Sequence, residues 1–168
     1  MSTAEHKKEA PRSVGCMVIT VSDTRSEETD KSGQLMRELL AEANQSVILY
    51  RIVKDEPREI IAAIESGVTH PDVQVILLNG GTGISRRDTT YEAVQGLLEK
   101  EMPGFGELFR MLSYTEDIGA AAMLSRAIAG TYRGKAVFST PGSTGAVRLA
   151  MSKLIIPELG HVVRELNK

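Results

Sequence analysis

Short apolar runs alternate with longer segments of helical spacing along most of this chain. Val14 to Ser22, "VGCMVITVS", is almost continuously apolar and β-branched, the pattern of a strand buried on both faces. A polar stretch, "DTRSEETDKSG", leads into "SGQLMRELLAEANQ", where Leu35, Met36, Leu39, Leu40 and Ala43 recur at helical intervals. "VILYRIV", Val47 to Val53, predicts a second strand. In "PREIIAAIESGV", Pro57 stands where the first turn of a helix accepts proline, and Gly67 stands near its end. "VQVILLN" predicts a third strand, followed after a glycine-rich loop by a helix through about Lys100. "MPGFGELFRMLSY" predicts another helix, and "AAAMLSRAIAG" continues in helical or mixed form. "KAVFSTPGS" reads as a further strand ending in a Pro-Gly turn, and "TGAVRLAMSKLIIPEL" as a helix that Pro157 kinks or restarts.

Strands alternating with helices predict an α/β fold, a mostly parallel central sheet covered by helices on both faces. Residues 1–13, "MSTAEHKKEAPRS", are polar without periodicity and predict a flexible tail, leaving 14–168 as a single domain. At 168 residues, 42% hydrophobic and 25% charged, the composition is that of an ordinary globular protein. The net charge of -2 gives no general attraction to nucleic acid or to an anionic membrane, so any anion handling must be local. The one cysteine, Cys16, rules out an intrachain disulfide and reads as a buried, inert thiol. His6, His70 and His161 lie far apart without i,i+4 partners, which argues against a histidine metal site. No apolar stretch approaches the ~20 residues of a membrane span, and no signal-peptide core is present, so a cytoplasmic location is expected.

In an open parallel sheet, ligands bind beyond the C-terminal ends of the strands. "SDTRS", "KDEP" and "NGGTGISRRD" are predicted to converge there, and "STPGS" to join them. Gly80, Gly81 and Gly83 allow either a plain strand-to-helix turn or a cleared backbone whose N–H groups cradle a phosphate. The spacing is not the dinucleotide fingerprint, and no lysine of a P-loop follows. Arg86 and Arg87 offer planar cations suited to phosphate, or form a solvated charge cluster. "TTYE" has the form of a capping box in which Thr89 caps and Glu92 reaches back, which would free Asp88 from capping duty. Asp88 then suits a Mg²⁺ ligand beside substrate phosphates, the alternative being a helix cap. Asp55 allows the same two readings, and Asp23 is a further candidate of the kind.

"GGTGISRRD", "PGFGELFRMLS", "SRAIAG" and "STPGS", in that order, resemble the MoaB/MogA family of molybdenum cofactor biosynthesis over most of the chain from Val14 onward. The resemblance implies a three-layer molybdopterin-binding fold and assembly into homo-oligomers, trimers or hexamers. It implies binding of molybdopterin, and in catalytic members adenylylation of its terminal phosphate by Mg-ATP with loss of pyrophosphate. The family's functional aspartates match Asp55 and Asp88, as catalytic residues and Mg²⁺ ligands. Its glycine loop matches Gly80, Gly81, Thr82 and Gly83; "PGFGE" carries Glu107, and the second turn carries Pro141, Gly142 and Ser143. Asn79 replaces the Ser or Thr usual before GGTG, which predicts an altered contact. Three readings follow: an adenylyltransferase, a molybdopterin-binding protein without that activity, and a generic nucleotide- or phosphosugar-binding domain. The apolar content of "MPGFGELFRMLSY" suits a subunit interface and intramolecular core equally.

Overall fold

The computed structural model describes residues 2–11 and 13–168. In chain order the elements are α1 (Thr3–Glu9), β1 (Gly15–Val21), α2 (Lys31–Glu42), β2 (Ser46–Val53), α3 (Pro57–Val68) and β3 (Val75–Asn79). There follow α4 (Thr90–Leu97), β4 (Lys100–Glu101), α5 (Pro103–Glu116), a 3₁₀ segment (Gly119–Leu124), β5 (Ile128–Tyr132) and β6 (Lys135–Thr140). The chain closes with α6 (Thr144–Ala150), a π-helical turn (Met151–Ile155) and α7 (Ile156–Leu166).

The strands form one six-stranded sheet in the order β2-β1-β3-β6-β5-β4. β2, β1, β3 and β6 run parallel, and β5 and β4 are antiparallel additions. β1 and β3 have helices on both sides, which is why their sequences are apolar without alternation. On one face Cys16, Val18, Val75 and Leu77 pack with Met36 and Leu40 of α2 and with Val147, Met151 and Leu159. On the other, Met17, Ile19, Ile76 and Leu78 pack with Ile60 and Ile64 of α3 and Val94 of α4. This is the three-layer α/β architecture the pattern predicts. Cys16 is fully buried, and burial pushes its thiol up to about 12, so it is a packing residue.

Several elements depart from the pattern. "AAAMLSRAIAG" is a 3₁₀ segment followed by strand β5, which pairs with β6 across Arg133 and Gly134. Both turn residues have positive φ (46° and 80°), the twist a two-residue hairpin needs. The helix expected through Lys100 stops at Leu97, and Lys100 and Glu101 pair antiparallel with β5. Pro157 restarts the helix: α6 gives way to a π-helical turn, and α7 begins at Ile156 with Pro157 in its first turn. Lacking an N–H and crowding the carbonyl a turn behind it, it is accommodated by a widened turn in which the Ile156 N–H bonds to the carbonyl of Met151. The N-terminal segment carries α1, packed against α7. The Ser2 hydroxyl accepts from the Glu5 N–H (3.2 Å) and the Glu5 carboxylate accepts from the Ser2 N–H (2.5 Å). That is a reciprocal capping box the composition of "STAE" had carried unread. Met1, Arg12 and the side chain of His6 lie outside the described residues.

β1 and β3 are neighbours, yet α2 leaves β1 for one face and α4 leaves β3 for the other. Their C-terminal ends therefore open a crevice between diverging chains. Leu77, at the centre of β3, is fully buried. Leu77→Ala is expected to lower unfolding free energy by about 2–5 kcal/mol, read as a shifted denaturation midpoint at unchanged slope.

Candidate functional site

The loops after β1, β2 and β3 meet at that crevice through directed hydrogen bonds. Asp55, only 6% exposed, follows β2. Its Oδ1 accepts from the N–H (3.0 Å) and the hydroxyl (2.6 Å) of Thr89, and its own N–H donates to Oδ1 of Asp23 (3.1 Å). Asp23 in turn receives both arms of Arg87, Nε at 3.0 Å and Nη2 at 2.9 Å. The Arg87 hydrogen bonds, helped by the Asp55 N–H, hold the Asp23 carboxyl below the usual carboxylate range. Arg87 also reaches Glu56 at 2.7 Å. One of the two candidate phosphate cations is thus bound to two carboxylates, whereas Arg86 is exposed and has no ion pair among the described residues.

Gly80 and Gly81 take positive φ (101° and 71°) and Gly83 does not. A Cβ on Gly80 would stand 2.2 Å from the Val21 carbonyl oxygen, and one on Gly81 would stand 2.1 Å from the Thr90 hydroxyl. The glycines therefore serve the turn and the open backbone at once. The Gly80 N–H donates to the Thr140 carbonyl at 2.9 Å. Beyond it, the N–H groups of Gly81, Thr82, Gly83 and Ile84 have no acceptor among the described residues. Successive unpaired N–H groups at a strand end are what an anion requires.

The expected capping box at "TTYE" does not form. Thr89 occupies the N-cap position without a side-chain cap bond, because its hydroxyl donates to the buried Asp55 instead. Glu92 turns to Arg126, which holds its carboxyl below the usual range. Asp88 is free of α4, as expected, but its Oδ2 closes the preceding turn by accepting from the N–H (3.0 Å) and hydroxyl (2.6 Å) of Ser85. Ser143 caps α6, accepting from Ala146 at 3.2 Å. Gly142 lies against Gly80, and its carbonyl accepts from Arg25 at 3.0 Å, so the "PGS" turn with Pro141 joins the same edge. Glu107 stands apart on α5, in a cleft of about 440 Å³ with Tyr91, Met102, Arg110 and Arg126. A second cleft of about 370 Å³ contains Ile84, Arg86, Asp88 and Thr89, again with Arg126.

Arg126 went unseen in the sequence, and the altered contact expected at Asn79 proves to be the head of a buried polar network. Arg126, inside the quoted "SRAIAG", bonds the glycine loop and walls both clefts. Beneath the loop, fully buried Asn79 donates to Thr20 (3.0 Å), and Thr20 and Tyr50 both donate to Asp30 Oδ2 (2.7 and 2.5 Å). Nothing local in the sequence marks Arg126, or Thr20, Asp30 and Tyr50 beneath Asn79, as partners of the loop.

A family model described as "Probable molybdopterin binding domain" matches residues 17–161. The chain belongs to this molybdopterin-binding family. Molybdenum cofactor biosynthesis protein B of Bacillus cereus is 62% identical over 168 residues, covering all of this chain and 99% of the relative. A crystal structure of a molybdenum cofactor biosynthesis protein B, 62% identical, superposes with a TM-score of 0.92 over 95% of this chain and 99% of that one. The tungsten cofactor synthesizing protein MoaB from Pyrococcus furiosus is 38% identical, with a TM-score of 0.85 over 95% and 100% of the two chains.

In this molybdopterin-binding domain, the structure gathers Asp23, Asp55, Asp88, Arg87, the glycine loop and Gly142 at one sheet edge. Gly81→Ala is expected to cost about 1–3 kcal/mol for the left-handed φ alone, and more for the clash with Thr90, measured by denaturant unfolding. NMR titration should place the Asp23 midpoint below the usual carboxylate range, so the Arg87 contact persists on acidification until that lowered midpoint is passed. Arg87→Ala should return Asp23 toward its ordinary value; no change would mean the pair is not formed in solution.

Proposed function

We propose that this chain acts in molybdenum cofactor biosynthesis, binding molybdopterin and adenylylating its terminal phosphate with Mg-ATP. A phosphate oxygen attacks the α-phosphorus of ATP, the bond from that phosphorus to the bridging oxygen breaks, and pyrophosphate departs with the electron pair. The observation that carries the reading is the run of unpaired N–H groups from Gly81 to Ile84 beside Asp55 and Asp88. Such a reaction needs little beyond positioning and charge neutralisation, because the nucleophile is already an anion. Arg86, exposed in the smaller cleft and without an ion pair among the described residues, suits an incoming phosphate. The larger cleft, with Glu107, Arg110 and Tyr91, suits a flat polar heterocycle bearing both donors and acceptors.

The residues fit Mg²⁺. Asp55 Oδ2 and Asp88 Oδ1 take no hydrogen bond among the described residues, and magnesium needs only one or two protein carboxylates with substrate phosphates and waters. Bound there, the ion would neutralise phosphate charge. The second reading is a molybdopterin-binding protein of the pathway without adenylylation. It is favoured by the commitment of Arg87 to Asp23 and Glu56, which leaves less cationic charge for triphosphate than the sequence offers.

The family resemblance also carries homo-oligomers, and one feature supports them. α5 buries Phe105 and Phe109, while Leu108, Met111 and Tyr114 on its other side, with Ile118, Met123 and Leu124 beyond, are exposed. The helix expected as interface or core thus divides into an inner face and an uncovered apolar one. No described helix is long and apolar enough to cross a membrane, and the reading places the protein in the cytoplasm.

Pure protein with molybdopterin and Mg-ATP should release pyrophosphate; none above background would leave the binding-only reading. Asp88→Ala should reduce turnover about 100-fold or more while molybdopterin binding changes little, whereas equal loss of both would make Asp88 structural. Light scattering should give a trimer or hexamer, and Met111→Glu with Tyr114→Glu should dissociate it; a monomeric wild type would refute the assembly.

A further inference from the structure

Arg126 lies just before β5, far in sequence from the glycine loop, and is bonded to it at successive points. Its N–H donates to the Thr82 carbonyl at 3.0 Å, its Nε to the Gly83 carbonyl at 2.9 Å, and its Nη2 to the Asp88 carbonyl at 3.0 Å. The Glu92 carboxylate receives both terminal nitrogens of the guanidinium, and the group lies over the Tyr91 ring, 5.0 Å from its centroid. The side chain is about a quarter exposed (27%) and stands between the two clefts.

Each of these acceptors is a backbone carbonyl of the loop or the helix acid that follows it. The carbonyls of Thr82 and Gly83 accept from Arg126, and the N–H groups from Gly81 to Ile84 have no acceptor among the described residues. A flexible glycine loop with unpaired donors would ordinarily collapse onto its own carbonyls, since both groups seek partners. Here the carbonyls are already taken. Glu92 balances the guanidinium charge, so the bonds to the loop do not leave an uncompensated cation in the wall of the site.

We propose that Arg126 is a positioning residue, holding the glycine loop in its donor-outward conformation from across the sheet edge and not acting as the anion's cation. The inference rests on reading the loop as a phosphate site. Only a planar fork can serve Gly83, Asp88 and Glu92 together, so lysine should keep the charge and lose the geometry.

The test uses the full chain and two independent readouts. Limited trypsin digestion, with fragments identified by mass, reports opening of the loop through cleavage after Arg86 and Arg87. Calorimetry with magnesium pyrophosphate reports anion binding. Arg126→Lys is expected to speed cleavage at those two sites about tenfold or more and to weaken pyrophosphate binding by a similar factor, with cleavage elsewhere unchanged. Glu92→Gln, which keeps the bonds to Gly83 and Asp88, is expected to change either readout less than about threefold. Should Arg126→Lys fail to fold, Arg126→Gln serves the same comparison. Unchanged cleavage in the Arg126 variants overturns the clamp, and lost pyrophosphate binding with unchanged cleavage makes Arg126 a direct ligand instead. A Glu92→Gln loop as open as that of Arg126→Lys also overturns it. If wild type does not bind pyrophosphate yet cleavage still rises in Arg126→Lys, the phosphate reading falls and the clamp stands.

Discussion

Asp55 accepts two hydrogen bonds from Thr89 through one carboxylate oxygen while donating its own N–H to Asp23. A carboxylate this buried cannot rely on bulk water, so it must recruit donors from the chain. The donors it recruits belong to the start of α4, and the acceptor it finds belongs to the loop after β1. One residue at the end of β2 thereby joins all three loops of the crevice. The position of α4, the course of the glycine loop above it and the placing of Asp88 one residue before Thr89 all follow from that junction. Moving Asp55 would release Thr89 to cap its helix in the ordinary way, and the loop would lose its floor.

The same economy recurs around it. Arg126 ties down carbonyls of the loop from the β5 side, and Arg25 ties the Gly142 carbonyl from the β1 side. Below, Asp30 collects donors from Thr20, Tyr50 and Gly33, and Thr20 in turn accepts from Asn79, the last residue of β3. Burial and the bond to Asp30 push the Tyr50 hydroxyl well above its ordinary value, which keeps it a donor. Loop carbonyls are bonded within the fold, and the N–H groups from Gly81 to Ile84 have no acceptor among the described residues. The conformation of the loop thus depends on polar groups outside it.

The parts legible in the chain were those with a local cause. Strands β1 and β3 announced themselves by unbroken apolar runs, α2 and α3 by their spacing, and the glycine loop by its own composition. β5 was missed because "IAGTY" carries small residues and a glycine where a strand pattern wants bulk, and because its pairing depends on the turn at Arg133 and Gly134. The two capping boxes make the contrast sharper. "STAE" and "TTYE" have the same local form, and only the first closes. Ser2 and Glu5 hydrogen-bond each other and so cap their own helix. Thr89 and Glu92 each face a stronger partner, Asp55 and Arg126, brought in by the fold.

By itself the sequence determined strands β1, β2, β3 and β6 with the helices between them, the parallel part of the sheet, and the presence of a glycine loop with acids and arginines at its edge. These follow from burial periodicity and backbone permissiveness, which act between near neighbours in the chain. Only the tertiary structure decided which of those charged groups are spent on each other. Arg87 went to Asp23 and Glu56, Asp88 to the Ser85 turn, and Arg126 entered a site that its own surroundings in sequence did not mark. A hydrogen bond or ion pair goes to whichever partner the fold brings within reach, and for Arg87 and Arg126 that is settled between segments tens of residues apart.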